Sequence, residues 1–176
     1  MTERVDLYSS GGMASGLLTP AGRLADRLEH TPSIELDAAA WAPLFGPAAH
    51  ASGRIAIAVD DVLIASDPND DEPPIYAMWH PVLLELGPYQ VRGELPTLPG
   101  FDPGRALTRP SGTFLRLRDV RVEIRDRPDL MAEHPAALVS RYGVERVRAG
   151  LDLGYFFPGA TIEDAADIQP VGHISV

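Results

Sequence analysis

The 176-residue sequence predicts an α+β domain, mainly antiparallel β, curled into a small or partly open barrel with one or two short helices. Three observations lead there. Apolar residues alternate with small or polar ones over several short segments, the sign of half-buried strands. Proline and glycine punctuate those segments at close intervals, leaving room for one helical period only near the N-terminus. Twice the alternation changes parity inside an otherwise continuous stretch, which needs a β-bulge or turn and the curvature that comes with it.

In order along the chain, Ser9-Ser10-Gly11-Gly12 opens a glycine-rich stretch over 9–16, read as a flexible linker. Its glycines have the spacing of a phosphate loop, but all 15 basic residues are arginine and the phosphate-contacting lysine is missing. Leu17, Ala21, Leu24, Ala25 and Leu28 fall on one helical face, with Thr19-Pro20 as the start and Thr31-Pro32 as the stop, so a helix is expected over 20–30. Ser33-Ile34-Glu35-Leu36 alternates as a strand, 42–53 reads as loop, and Arg54 to Val59 is a second strand. Past Asp60-Asp61 the bulky positions move to Val62 and Ile64, which places a turn or bulge at the two aspartates.

Asp67-Pro68-Asn69-Asp70-Asp71-Glu72 is an acidic loop without the glycine and bidentate glutamate of a calcium-binding EF-hand. His80 to Leu86 and Tyr89 to Leu95 form a hairpin about Gly87-Pro88, where glycine accepts positive φ and proline fits the next position. A Pro/Gly-rich connection over 96–112 leads to Phe114-Leu115-Arg116-Leu117-Arg118. There the bulky positions slip from Leu115 and Leu117 to Val120, Val122 and Ile124, again predicting a bulge near Arg118-Asp119. Residues 135–142 fit a second helix or a strand equally well. Val147, Ala149, Leu151, Leu153, Tyr155 and Phe157 alternate as one long final strand, followed by an acidic tail over 159–176. A single domain over 1–176 is expected at this length. The Ser33–Asp37 pattern also returns at Phe114–Asp119, 81 or 82 residues on; shared strand composition is the simpler account, and a duplicated half-domain the alternative.

Composition narrows the chemistry. Without cysteine there is no disulfide, thiolate nucleophile or sulfur-ligated metal. The five histidines, His30, His50, His80, His134 and His173, stand singly and in no metal-ligand spacing. No metal, cofactor or catalytic set is therefore expected. A net charge of −10 opposes nucleic acid and anionic membrane surfaces. Arg116, Arg118, Arg121, Arg125 and Arg127 are interleaved with Asp119, Glu123 and Asp126, the pattern of a solvated strand face with cross-strand ion pairs. The charged N-terminal residues and the lack of a long apolar run predict a soluble, cytoplasmic protein, and the arginine-for-lysine usage fits a GC-rich bacterial genome.

Leu84 to Leu95 with its Gly87-Pro88 turn, then Phe101-Asp102, then Phe114 to Ile124, resembles the first half of Sm-like small barrels. The stretch also resembles uncharacterised bacterial proteins with a Gly-Pro-Tyr hairpin. The resemblance implies a strongly bent sheet. It does not carry RNA binding, because Pro103-Gly104 stands where the RNA-contacting asparagine belongs and no Arg-Gly pair is found near Arg141-Tyr142-Gly143.

The function expected is a non-catalytic protein-interaction or scaffolding module that self-associates, with a protein partner or a second copy as ligand. The candidate interaction surface is Trp79, His80, Tyr89, Arg92, Tyr155, Phe156 and Phe157. Adjacent Phe156 and Phe157 would face opposite sides of a strand, so one of them needs a second packing surface. The alternative is a small-molecule-binding protein or enzyme using Asp, His and Tyr side chains, with Asp60, His80 or Tyr89 in a concave site; nucleic-acid binding ranks third.

Overall fold

The structure is a computed structural model, which describes residues 3–67, 77–97, 112–165 and 168. Its chain runs β1 (Arg4–Ser9), β2 (Gly12–Thr19), α1 (Leu24–His30), β3 (Ser33–Pro43), β4 (His50–Ala58), a 3-10 turn (Val59–Asp61) and β5 (Ile64–Ser66). It continues through β6 (Met78–Leu86), β7 (Tyr89–Thr97), β8 (Phe114–Ile124), β9 (Arg127–Ser140), β10 (Arg146–Ala149) and β11 (Thr161–Asp164). The fold is mostly antiparallel β with one helix among the described residues, as the alternation predicts. The strands form one sheet in the order β11-β10-β6-β7-β8-β9-β5-β1-β2-β3-β4. β11 and β4 are its two ends, so the sheet is not closed.

That order contains the same unit twice. β1 to β4 form a meander and β5 returns to pair antiparallel with β1; β6 to β9 form a meander and β10 returns to pair antiparallel with β6. The register agrees in detail. Leu17 pairs Asp37 and Ser15 pairs Ala40, so β3 carries an extra residue opposite Gly16, and Ala38 there has φ 45°. Glu94 pairs Arg118 and Arg92 pairs Arg121, so β8 carries its extra residue opposite Gly93, and Asp119 has φ 49°. This is the bulge that the parity slip at Arg118-Asp119 predicts. Hydrogen bonds repeat as well: Val59 N–H to Pro32 O matches Arg141 N–H to Thr113 O, and Leu63 N–H to Tyr8 O matches Glu145 N–H to Glu85 O. Ser33–Asp37 and Phe114–Asp119, the segments that echo in sequence, occupy matching places in β3 and β8.

Several expectations need correction. The stretch 9–16 is no linker. Ser10-Gly11 is a two-residue turn and Gly12–Thr19 is strand β2, alternately buried. The helix begins at Leu24 instead of residue 20, with Leu24 and Leu28 buried. The loop expected over 42–53 is shorter, because β3 runs to Pro43 and β4 begins at His50. Residues 135–140 are strand; Ala136, Ala137, Leu138 and Val139 are all buried because both faces of β9 are covered there. An apolar run buried on both faces has no period to read.

The long strand over 147–157 ends at Ala149. Beyond it the chain turns, with Phe156 N–H and Phe157 N–H both reaching Leu153 O. That turn is held by Arg141, which is 6% exposed and donates to the carbonyls of Phe156, Tyr155 and Gly112. Within the tail, Thr161–Asp164 is β11, parallel to β10. The calcium-like loop beyond Asp67 and most of the 96–112 connection, including Phe101-Asp102, lie outside the described residues.

Two packing predictions follow from this geometry. A Cβ on Gly16 would stand 2.9 Å from both Asp37 O and Leu36 Cβ, whereas one on Gly93 finds its nearest neighbours at 3.3 Å. Gly16→Ala is expected to destabilise by roughly 1–3 kcal/mol, the usual cost of overpacking, and Gly93→Ala by less. Paired urea titrations measure the difference. Arg141→Met removes charge-assisted hydrogen bonds from three carbonyls and is expected to cost at least about 1.5–3 kcal/mol by the same measurement.

Candidate functional site

β5 is only three residues long, pairing with β1 through Leu7 and Tyr8 and with β9 through Ala137 to Val139. Its pairing with β9 ends at Ser66, opposite Ala137. A cleft of about 390 Å³ opens there, lined by Arg4, Asp6, Ser15, Ser66, Asp67, His134, Pro135 and Ala136. Its rim is tied by Asp6 N–H donating to Ser66 Oγ (2.7 Å), Asp67 N–H to Ala136 O (3.0 Å), and Arg4 Nε–H to Ser15 Oγ (3.1 Å). Asp67 is buried and lies 3.5 Å from Arg116.

At the inner end, Tyr8 Oη and His134 Nε2 share a hydrogen bond of 2.7 Å, and the two rings meet edge to face. Burial raises the Tyr8 phenol above its ordinary value, and the charges of Asp6 and Tyr89 add to the effect. Burial lowers the His134 imidazole, against a smaller upward pull from Asp6. The two shifts hold the proton on the phenol and leave the imidazole neutral. The pair is thus a hydrogen bond between two neutral groups at neutral pH.

The residues singled out from the sequence do not converge here. Tyr89 is core, 2% exposed, with its hydroxyl donating to Ser9 O (2.7 Å). Phe156 and Phe157 are also buried, in the same core cluster. Their side chains pack inward instead of being offered to a partner. Trp79, half-buried, lies beneath the Arg118 guanidinium at 3.6 Å, and His80 shares a 2.8 Å hydrogen bond with Thr97. Arg92 is half-buried on β7 and Tyr155 is exposed. Asp60 lies in the 3-10 turn, away from the residues lining the cleft. The arginine-rich strand makes the expected cross-strand pairs, Arg118 with Glu94 and Arg121 with Glu133, each at 2.7 Å.

The sequence alone singles out neither Tyr8 nor Asp6, and it shows His134 only as one of five isolated histidines. Tyr8 and His134 are 126 positions apart, so no spacing could bring them together. Among the described residues no group of three or more His, Cys, Asp or Glu side chains is placed to hold a metal ion, and no helix is long and apolar enough to cross a membrane. No family model, curated protein or solved structure matches the chain.

The His134 shift has a pH signature with a definite sign. Between its lowered folded value and the ordinary 6.5, the unfolded chain binds more protons than the folded one. This contribution to stability is complete above 6.5 and is lost as pH falls through that window. Urea midpoints measured from pH 7.5 downward are expected to fall less steeply for His134→Asn than for the parent, and a ring-proton titration should place His134 below 6.5.

Proposed function

We propose that the protein is a non-catalytic protein-interaction or scaffolding module that self-associates, each repeated unit acting as a small, partly open barrel. One observation carries this reading. β4 ends the sheet with its outer edge unpaired among the described residues, and it is exposed along most of its length. An unpaired edge presents a row of N–H and C=O groups to which another strand can add. Phe45, in the loop that leads into β4, is an exposed apolar side chain.

A second reading, a small-molecule-binding protein, is favoured by the cleft. Arg4, Asp6, Ser66, Asp67 and His134 converge there around a partly apolar floor of Pro135 and Ala136. Such a mixture suits a small polar ligand.

Sedimentation velocity over a hundredfold concentration range separates the readings. Self-association predicts a weight-average mass that rises from the 19.0 kDa of one chain towards twice that value. A mass fixed at one chain throughout would sink the first reading and leave the cleft as the better guide.

A further inference from the structure

The two ends of the sheet are chemically unlike. β10 carries exposed Arg146 and Arg148, which pair with Glu163 of β11, and Arg146 also lies near Glu85. β11 runs along its outer edge. That end has both of the devices that keep sheet edges from joining, charge and cover. β4 has neither. From Arg54 to Ala58 it contains no proline and no acid, and its one charge is matched by Asp37 at 2.7 Å. The irregular pairing of β4 lies at Gly53 and before, so Arg54 to Ala58 is regular strand.

The internal repeat shows what a strand in this position does when it is paired. Ile55 pairs Leu36 in the first unit as Ala137 pairs Leu117 in the second. Arg54 to Ile57 therefore match Ala136 to Val139, a stretch buried throughout where β5 joins β9. In β4 the matching residues are exposed, half-buried, exposed and buried in turn. The first unit is thus built like the second, but among the described residues no strand covers its end.

We propose that the strand completing this edge is β4 of a second copy, laid antiparallel about a two-fold axis at Ala56. This rests on the self-associating reading above. Centring on Ala56 sets Ile55 opposite Ile57 of the other copy, twice over, and extends the apolar cluster that contains Ile57 across the joint. It sets Arg54 opposite Ala58, whereas centring on Arg54 would oppose two arginines. The same surface serves both copies, so the joint closes as a dimer. Pairing β4 with β10 instead would require β11 to leave and would lay Arg146 against Ile57.

The test uses the full chain, which has no cysteine, so that one introduced residue carries one label. A nitroxide on Ala58→Cys is expected to show dipolar broadening, since two such sites would lie roughly 13 Å apart at about 3.3 Å per strand residue. A nitroxide on Arg148→Cys, at the capped end, is expected to show none. Ala56→Asp, an exposed substitution that opposes two like charges at the axis, should raise the dimer dissociation constant at least tenfold while leaving circular dichroism unchanged. A chain that stays monomeric in every concentration tested overturns both this joint and the self-association reading. A dimer without broadening at Ala58→Cys, and indifferent to Ala56→Asp, overturns the joint alone.

Discussion

Three residue pairs join the two halves of the sheet, and two of them, Ile64 with Val139 and Ala65 with Leu138, are apolar on both sides. Strand side chains alternate between faces, so these pairs point in opposite directions. Ile64 and Val139 enter the cluster built around Tyr89, Val91 and Phe157, whereas Ala65 and Leu138 enter the one built around Leu7, Leu24 and Leu36. All four are buried. A three-residue strand thus serves as the end of one unit, the partner of the other, and a wall of both cores. The cleft lies at its C-terminal end, where Ser66 and Asp67 line it together with Arg4 and Asp6 of β1 and His134 to Ala136 of β9.

The repeat explains why the same devices occur in pairs. A meander whose fifth strand returns to its first must bend sharply, and each unit does so with an extra residue in its third strand facing a glycine in its second. The glycine is required because the bulged backbone comes close: Asp37 O and Leu36 Cβ near Gly16, Arg118 O and Leu117 near Gly93. Where the units differ, the difference bears on assembly. The second unit's returning strand carries arginines at Arg146 and Arg148, where the first has Ile64 and Ser66. An apolar joint is thereby possible at β5 and disfavoured at β10.

How much of this could be read from the sequence depended on how each strand is buried. The β6–β7 hairpin was legible because one glycine-proline turn separates two cleanly alternating runs, and the Asp119 bulge because alternation resumes on the other parity. Both are local signals. The β1–β2 hairpin was hidden by its residues, since Gly12, Ala14 and Gly16 give no bulky positions to count, and β9 by burial on both faces. The alternation that suggested a strand to Phe157 is real as far as Ala149; Leu153 and Phe157 then reach the core from a turn held by Arg141, by a route that periodicity does not encode. The cleft was illegible for a different reason. It is assembled from β1, β2, the end of β5 and β9, so its members meet only once the strand order is known.

The net charge of −10 gains a meaning from the fold that composition alone withheld. Copies of an acidic protein repel, and at physiological salt that repulsion reaches about 8 Å. Close approach is therefore favoured only where the local charge is low and the surface offers something in return. On β4 the Arg54 charge is matched by Asp37, leaving Glu35, in register with Ala56, as the nearby acid, and in the proposed joint the backbone edge together with half-buried Ile55 would supply the return. Acidic Asp60 and Asp61 stand just past the strand end, in the 3-10 turn. They leave the regular segment free for pairing while discouraging a register slid towards Val59, because such a slide would bring the two acidic turns closer together. In the proposed dimer, the same charge that keeps most of the surface apart would thus help to fix where, and in which alignment, two copies meet.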